Sequence, residues 1–139
     1  MIDAGFKLVY ESPFGCVYYS SSRAVVYVRR TSLPFALDAI GPEVDGLLDA
    51  LAGVPFDRTG LILDVRLVIG RNDESFETAS LALRRRFIAR FGRAAILVRT
   101  VAGQLQGQRF LREDRLSQRT LVTDELAKAE AFLGGWERD

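Results

Sequence analysis

The stretch of residues 61–69, Leu-Ile-Leu-Asp-Val-Arg-Leu-Val-Ile, restricts the fold most, because it is almost continuously apolar. It is far shorter than the ~20 apolar residues that a membrane-spanning helix needs. A strand with one solvent-facing side alternates apolar and polar residues, so this pattern predicts a central strand covered on both faces. Asp64 and Arg66 interrupt the stretch, and two residues apart in a strand they share one face.

The segments before this strand predict antiparallel strands followed by a helix. Runs rich in Val and Tyr are separated by the turn sequences 12–15 and 20–23, which is typical of hairpins. A helix is then predicted to begin around Pro42 and to end at Gly53, and residues 34–41 could add a preceding turn or helix. The predicted strands cover residues 6–11, 16–20 and 24–30, and the apolar stripe of the helix comprises Val44, Leu47, Leu48 and Leu51.

The segments after the central strand alternate between helices and strands. A loop at 70–75 leads into a helix that Gly92 ends, and strands are predicted at 94–98 and 119–122. Thr100 is predicted to cap a helix over 101–116, and Asp124 is predicted to cap the last helix. The residues expected to face inward from these helices are Phe76, Ala79, Leu83, Phe87, Phe91, Leu105, Leu111, Leu126, Ala129 and Leu133.

The resulting order, β-β-β-α-β-α-β-α-β-α, predicts a single α/β domain over residues 1–139. Strand–helix alternation in the second half implies right-handed crossovers and parallel pairing. The N-terminal hairpin adds antiparallel strands, so we expect a mixed sheet with helices packed on it. In such sheets, ligands and partners meet the loops at the carboxyl ends of the strands. Those loops lie at 66–75, 99–103 and 122–124.

The amino-acid composition argues against catalysis and metal binding. The chain has no histidine and one cysteine, Cys16, which removes the commonest general base and metal ligand as well as any intrachain disulfide. We therefore expect no enzyme activity, no cofactor and no metal.

The net charge of +1 argues against nucleic acid as a partner. Because successive helical residues point in different directions, Arg84-Arg85-Arg86 is predicted to be a solvated helix surface. Without a signal peptide or membrane span, we expect a soluble, cytoplasmic protein.

Three stretches carry a family resemblance: the strand Leu61–Arg66, the loop Gly70–Asp73 that opens a helix, and the ending Thr120–Ala127. With this element order, the chain resembles the STAS fold of bacterial anti-sigma factor antagonists, and more closely the SpoIIAA-like (STAS/SEC14-type) proteins. The resemblance implies a non-catalytic regulatory module that binds another protein, with a homodimer also compatible. Proteins of the SEC14 type imply the alternative, a carrier with an apolar small-molecule or lipid pocket between sheet and helices.

The resemblance also points to a binding region after the central strand. In anti-sigma factor antagonists, an Asp-Ser or Asp-Thr pair starts the next helix and its hydroxyl is phosphorylated, whereas the matching positions here are Asn72 and Asp73. Either the switch is lost, as in many SpoIIAA-like proteins, or Asp73 is permanently charged, or Ser75 has taken the role. The predicted partner- or ligand-binding residues are Asp64, Arg66, Gly70, Arg71, Asn72, Asp73 and Ser75.

Three alternatives to this binding region stay open. Asn72 or Asp73 is also a normal helix N-cap, with Glu74 complementing the helix dipole. Asp64 and Arg66 could form a structural bridge that anchors a loop. An enzyme would have to use Asp64, Asp73 or Glu74 as its acid or base.

Overall fold

The computed structural model describes the backbone of residues 5–34, 36–68 and 74–136. Within those ranges the chain forms six strands and four α-helices, which confirms the predicted α/β class. The strands are β1 (Lys7–Ser12), β2 (Gly15–Ser20), β3 (Val25–Arg30), β4 (Gly60–Asp64), β5 (Arg93–Leu97) and β6 (Thr120–Thr123). The helices are α1 (Leu37–Ala50), α2 (Glu74–Arg86), α3 (Val101–Glu113) and α4 (Leu126–Gly134).

All six strands join one sheet in the order β1-β2-β3-β4-β5-β6. The pairs β1–β2 and β2–β3 are antiparallel, and β3–β4, β4–β5 and β5–β6 are parallel. The sheet is therefore mixed, with an antiparallel N-terminal half, as the sequence predicts.

Strand β4 lies inside the sheet, and all five of its residues are buried. Because side chains alternate along a strand, Leu61 and Leu63 join the core beneath α1, α2 and α3. Ile62 points to the opposite face, where it packs with Ala129 and Leu133 of α4. The two faces thus have separate apolar cores. This arrangement puts three crossover helices on one side, as right-handed connections between neighbouring parallel strands require.

The central strand is shorter than predicted, because β4 ends at Asp64 and residues 66–68 form a turn. The Asp64 side chain accepts a hydrogen bond from the backbone N–H of Arg66, and Val68 N–H donates to the carbonyl of Val65. The Val65 N–H still donates to the Leu97 carbonyl of β5, and beyond it these local bonds replace the ladder. Side-chain competition of this kind explains why an apolar run does not remain a strand.

Helix α1 begins at Leu37, five residues before the predicted start at Pro42. Pro42 lacks the N–H that would donate to the carbonyl of Asp38, which weakens the first turns. The helix forms regardless because its apolar stripe extends toward the N-terminus. Ile40 and Val44 are buried together in a small cluster that also contacts α2.

The second helix is shorter than its apolar stripe suggests. Helix α2 ends at Arg86, and residues Ile88–Arg90 form a 3₁₀ turn. Phe87 and Phe91 lie outside the helix but are fully buried, with ring centroids 5.2 Å apart in an edge-to-face arrangement. Their inward orientation is confirmed, although their secondary structure was predicted wrongly.

The third helix ends at Glu113, three residues before the predicted end at 116, and both the third and the fourth helix differ from prediction in one side-chain role. Thr100 caps α3 by accepting the Gly103 N–H at 3.0 Å, as predicted, but Leu105 is 62% exposed and does not face inward. Asp124 does not cap α4, since the N-cap residue is Glu125 and it makes no side-chain capping bond. Instead, Thr123 Oγ1 accepts the Glu125 N–H at 3.2 Å.

Two glycines provide a matched stability test. A methyl group at Gly92 would collide with the Trp136 ring and the Asp57 carbonyl, whereas one at Gly41 in α1 would meet open space. We expect Gly92→Ala to lower the free energy of unfolding by about 1–3 kcal/mol. Gly41→Ala should raise it by about 0.5–1 kcal/mol, because alanine loses less backbone entropy in a helix. Urea denaturation measures both, and equal effects would contradict the packing described around Trp136.

Candidate functional site

The structure brings Asp64 and Arg66 into direct contact at the carboxyl end of β4. Arg66 Nε lies 2.9 Å from Asp64 Oδ1 and Arg66 Nη2 lies 2.7 Å from Oδ2, so the pair is bidentate. The Arg66 backbone N–H also donates to Oδ1 at 3.1 Å, and the Tyr27 hydroxyl donates to Oδ2 at 3.0 Å. Each carboxylate oxygen therefore already accepts two hydrogen bonds.

These bonds keep Asp64 ionised. Burial favours the neutral acid and would raise its pKa, but the hydrogen bonds from Arg66 and Tyr27 outweigh burial and lower the pKa below its ordinary value. Burial raises the pKa of Tyr27, and the adjacent carboxylate raises it further. The hydrogen bond to Asp64 likewise raises the pKa of Arg66. At neutral pH, Asp64 and Arg66 are therefore both charged, and the Tyr27 phenol beside them is neutral.

This saturation favours a structural role for the pair. A ligand could bind the Asp64 carboxylate only by displacing a bond that orders the turn after β4. Of the other predicted site residues, Ser75 lies in the backbone of α2, but its side chain is outside the described part of the structure. Gly70, Arg71, Asn72 and Asp73 lie outside the described residues altogether, so their binding role stays a prediction.

A cavity of about 420 Å³ lies on the opposite face of the sheet from Ile62 and Asp64. Its floor is the carboxyl end of β4 and β5, and its two walls are α2 and α3. It opens at the carboxyl end of the parallel strands, where the sequence predicted partner-binding loops. Its apolar lining comprises Leu63, Val65, Val68, Leu83, Ile88, Ile96, Val98, Ala102, Phe110 and Leu111.

Two glycines shape the α3 wall of this cavity. A methyl group at Gly107 would lie 3.3 Å from Val122 Cγ1, so the helix approaches β6 closely there. At Gly103 the nearest atoms would be Thr100 Oγ1 at 3.2 Å and Val98 Cβ at 3.6 Å. Both residues line the cavity without a side chain to fill it. The glycines that weaken the helix signal in the sequence therefore have a packing function.

Arg84 is the cavity residue that the sequence interpretation missed. It was predicted to be part of a solvated surface with Arg85 and Arg86, yet it is only 7% exposed. Its Nε donates to the Asp114 carboxylate, and its guanidinium lies 4.2 Å from the centre of the Phe110 ring. Helical spacing gave no signal for this burial, because α2 ends at Arg86 and the counter-charge, Asp114, comes 30 residues later in the chain. The prediction holds for Arg85 and for Arg86, which pairs with exposed Asp45.

Arg30, at the end of β3, lines the cavity on the side of the N-terminal hairpin. It is 8% exposed and donates to the carbonyls of Phe14 at 2.9 Å and Leu33 at 2.8 Å. Burial lowers the pKa of its guanidinium to about 10, and nearby Glu43 opposes this change. Arg30 therefore remains a cation at neutral pH.

Glu43 belongs to a separate polar network behind that end of the cavity. Tyr10 donates to Glu43 Oε1 at 2.5 Å and Ser12 donates to Oε2 at 2.9 Å. Burial raises the pKa of Tyr10 most, the hydrogen bond to Glu43 raises it further, and the pKa reaches about 12. Both carboxylate oxygens are engaged, so this network ties α1 to β1 and does not form a reactive group.

The described ranges contain neither a cluster of metal-binding side chains nor a membrane-spanning helix. No group of three or more His, Cys, Asp or Glu side chains comes together in them to hold a metal ion. None of the helices in the same ranges combines the length and apolar composition that crossing a membrane requires.

Asp64 provides a pH-dependent test of its structural role. We expect Asp64→Asn to lower the free energy of unfolding by about 1–3 kcal/mol at neutral pH, since it removes a charged acceptor that is buried. The pKa of the Asp64 carboxyl is lower in the folded protein than in the unfolded chain. Its contribution to the free energy of unfolding is therefore fully present above the unfolded pKa of about 4, and it disappears as the pH falls through the folded pKa. The difference between wild type and variant should therefore shrink in acid.

Urea denaturation at several pH values measures this difference. Asp49→Asn is the matched control, because Asp49 is exposed on α1 and should change stability by less than about 0.5 kcal/mol. A difference between wild type and Asp64→Asn that stays constant down to strong acid would contradict the assigned pairing.

Comparison with protein-family models, with curated proteins and with solved structures finds no match for this chain. The resemblance to STAS and SpoIIAA-like proteins therefore stays a prediction. Function has to be argued from the geometry of the cavity and of the sheet edge beside it.

Proposed function

We propose that this protein binds a small, largely apolar molecule in the cavity between the sheet and helices α2 and α3. The observation that carries the proposal is the cavity itself, whose volume of about 420 Å³ is bounded mainly by aliphatic side chains and Phe110. Ligand sites in proteins are concave, mostly apolar and about 300–1,000 Å³ in volume, with a few polar groups for orientation. This cavity meets each of those criteria.

The position of the cavity supports the same proposal. It lies at the carboxyl ends of the parallel strands β4 and β5, where open α/β sheets bind their ligands. Its volume is near the lower end of the range for ligand pockets, which favours a compact ligand over a lipid with two long chains. Of the two carriers that the SEC14-type resemblance implies, we therefore propose the small-molecule one.

The lining supports binding more than catalysis. Among its described residues the hydroxyl group is that of Thr100, which already accepts the Gly103 N–H. The remaining polar side chains there are arginines and Gln106. Arginine stays protonated at neutral pH and does not act as a general base. A proton-transfer mechanism therefore has no evident base in this part of the structure.

Blocking the cavity tests the proposal. N-phenyl-1-naphthylamine is a neutral apolar dye that fluoresces when it leaves water, and we expect it to bind at one saturable site. Ala102→Trp places a large ring on the α3 wall and should weaken dye binding at least about tenfold, a loss of about 1.4 kcal/mol. The measurement is a fluorescence titration.

Ala127→Trp is the matched control for that titration. Ala127 is exposed on α4, which covers the opposite face of the sheet, so this variant should bind the dye like wild type. The proposal fails if the wild-type protein shows no saturable binding, or if both tryptophan variants bind equally well.

A second candidate function is the regulatory protein-interaction module. The observation that favours it is exposed apolar surface next to the cavity: Val101 is 74% exposed, Leu105 is 62% exposed one turn further along α3, and Leu67 after β4 is 56% exposed. All three follow the carboxyl ends of parallel strands. Large exposed apolar side chains at a common edge are typical of surfaces that bind another protein.

Tagged protein expressed in its source cells tests this second candidate. We expect wild type to recover a stoichiometric protein partner and Leu105→Glu to lose it, because a charge at the contact must be desolvated. Leu8→Glu is the control, since Leu8 is 47% exposed on the edge strand β1. A partner retained by Leu105→Glu, or no partner with wild type, would contradict this candidate.

A further inference from the structure

The hydrogen bonding of Arg84 is incomplete within the described structure. Its Nε bonds to Asp114, and both side chains are 9% exposed. Its Nη1 is buried and has no hydrogen-bond partner among the residues that the structure describes. A buried donor on a charged group without an acceptor is costly, and native proteins rarely retain one without a functional reason.

The charged side chains that line the cavity are all cationic among the described residues. Arg30, Arg84 and Arg99 all contribute to its lining, while none of its described lining residues is acidic. Asp114 and Glu43, the carboxylates nearest to two of these arginines, are not part of the lining and are engaged by their own partners. An anion that enters therefore meets cations without facing a carboxylate.

The start of helix α3 adds to this field. Thr100, Ala102 and Gly103 lie in the first turn or cap of a helix of 13 residues, and all three line the cavity. The N-terminus of a helix carries partial positive charge, and acidic side chains usually complement it in the first turn. The first turn of α3 contains no acidic residue, so its partial charge is available to a ligand.

We propose that the ligand of this cavity carries an anionic oxygen group, a carboxylate or a phosphate, on a compact apolar body, and that Arg84 binds that group. The inference rests on the proposed function, because it specifies the chemistry of the same cavity. The apolar body contacts Leu63, Ile96 and Val98, and the anion lies toward α2. Nη1 is out of contact with solvent, so the guanidinium must turn toward the ligand as it binds. A charge-assisted hydrogen bond then replaces an unpaired donor.

Matched ligands with one alkyl chain and different head groups test the inference. Decanoate, decyl phosphate and decanol, each below its micelle concentration, are titrated against protein that holds N-phenyl-1-naphthylamine. We expect at least one of the two anions to displace the dye at a concentration at least about tenfold lower than the concentration of decanol that is needed. A factor of this size corresponds to one charge-assisted hydrogen bond. The comparison between the anions distinguishes a carboxylate ligand from a phosphate ligand.

Removal of Arg84 tests its assignment. Arg84→Gln should reduce the preference for the anion over decanol to less than about twofold, with each displacement corrected for the dye affinity of that variant. Arg85→Gln is the control, because Arg85 is the exposed neighbour on the same helix. It should retain the preference.

A second variant keeps the test valid if Arg84→Gln does not fold, since that change leaves Asp114 buried without its cation. The double variant Arg84→Met, Asp114→Leu replaces both partners with apolar residues, which buried ion pairs often tolerate. It should bind the dye and decanol and lose the anion preference.

The possible failures are distinct. If the dye binds but all three alkyl ligands displace it equally, the cavity is a ligand site and the anion inference is overturned. An anion preference that survives both changes at Arg84 overturns the assignment to that residue. If the dye does not bind at all, the proposed function itself fails.

Discussion

Burial of β4 on both of its faces is the constraint on which the rest of the structure depends. The strand is held by parallel partners on each side, β3 and β5, so its alternating side chains are divided between two separate cores. Leu63 faces the three-helix layer and becomes the floor of the cavity. Asp64 points the other way and must satisfy its charge inside the protein. A shift of one residue in the register of β4 would exchange these two environments, because neighbouring residues of a strand point to opposite faces.

Two arginine–aspartate pairs whose carboxylates are largely buried illustrate how differently the same chemistry can be used. At the end of β4, the Asp64 carboxylate accepts four hydrogen bonds, and this saturation fixes the turn that follows. On the other face, Asp114 engages Nε of Arg84, and Nη1 finds no acceptor among the residues that the structure describes. A saturated pair contributes to structure, whereas an unsaturated pair beside a cavity can contribute to recognition. This difference is why the proposed ligand site lies with Arg84 and not with the predicted pair.

The elements of the fold could be predicted from sequence, and the site largely could not. A run such as Leu61-Ile62-Leu63 indicates a doubly covered strand because only burial on both faces accounts for it. The orientation of Leu105 and the burial of Arg84 depend on tertiary contacts that periodicity does not contain. Arg84 is buried because Asp114, 30 residues later, supplies its counter-charge. The cavity itself depends on how α2 and α3 pack on the sheet, and Gly107 lets α3 approach β6 closely by omitting a side chain.

The position of a bound ligand is the most direct test of this account. Isotope-filtered nuclear Overhauser measurements on labelled protein with N-phenyl-1-naphthylamine report which methyl groups lie against the dye. We expect contacts to Leu63, Ile96 and Val98, which line the cavity beneath α2 and α3. Contacts confined to Leu126 and Leu133 on the α4 face, or to exposed Val101 and Leu105, would contradict it.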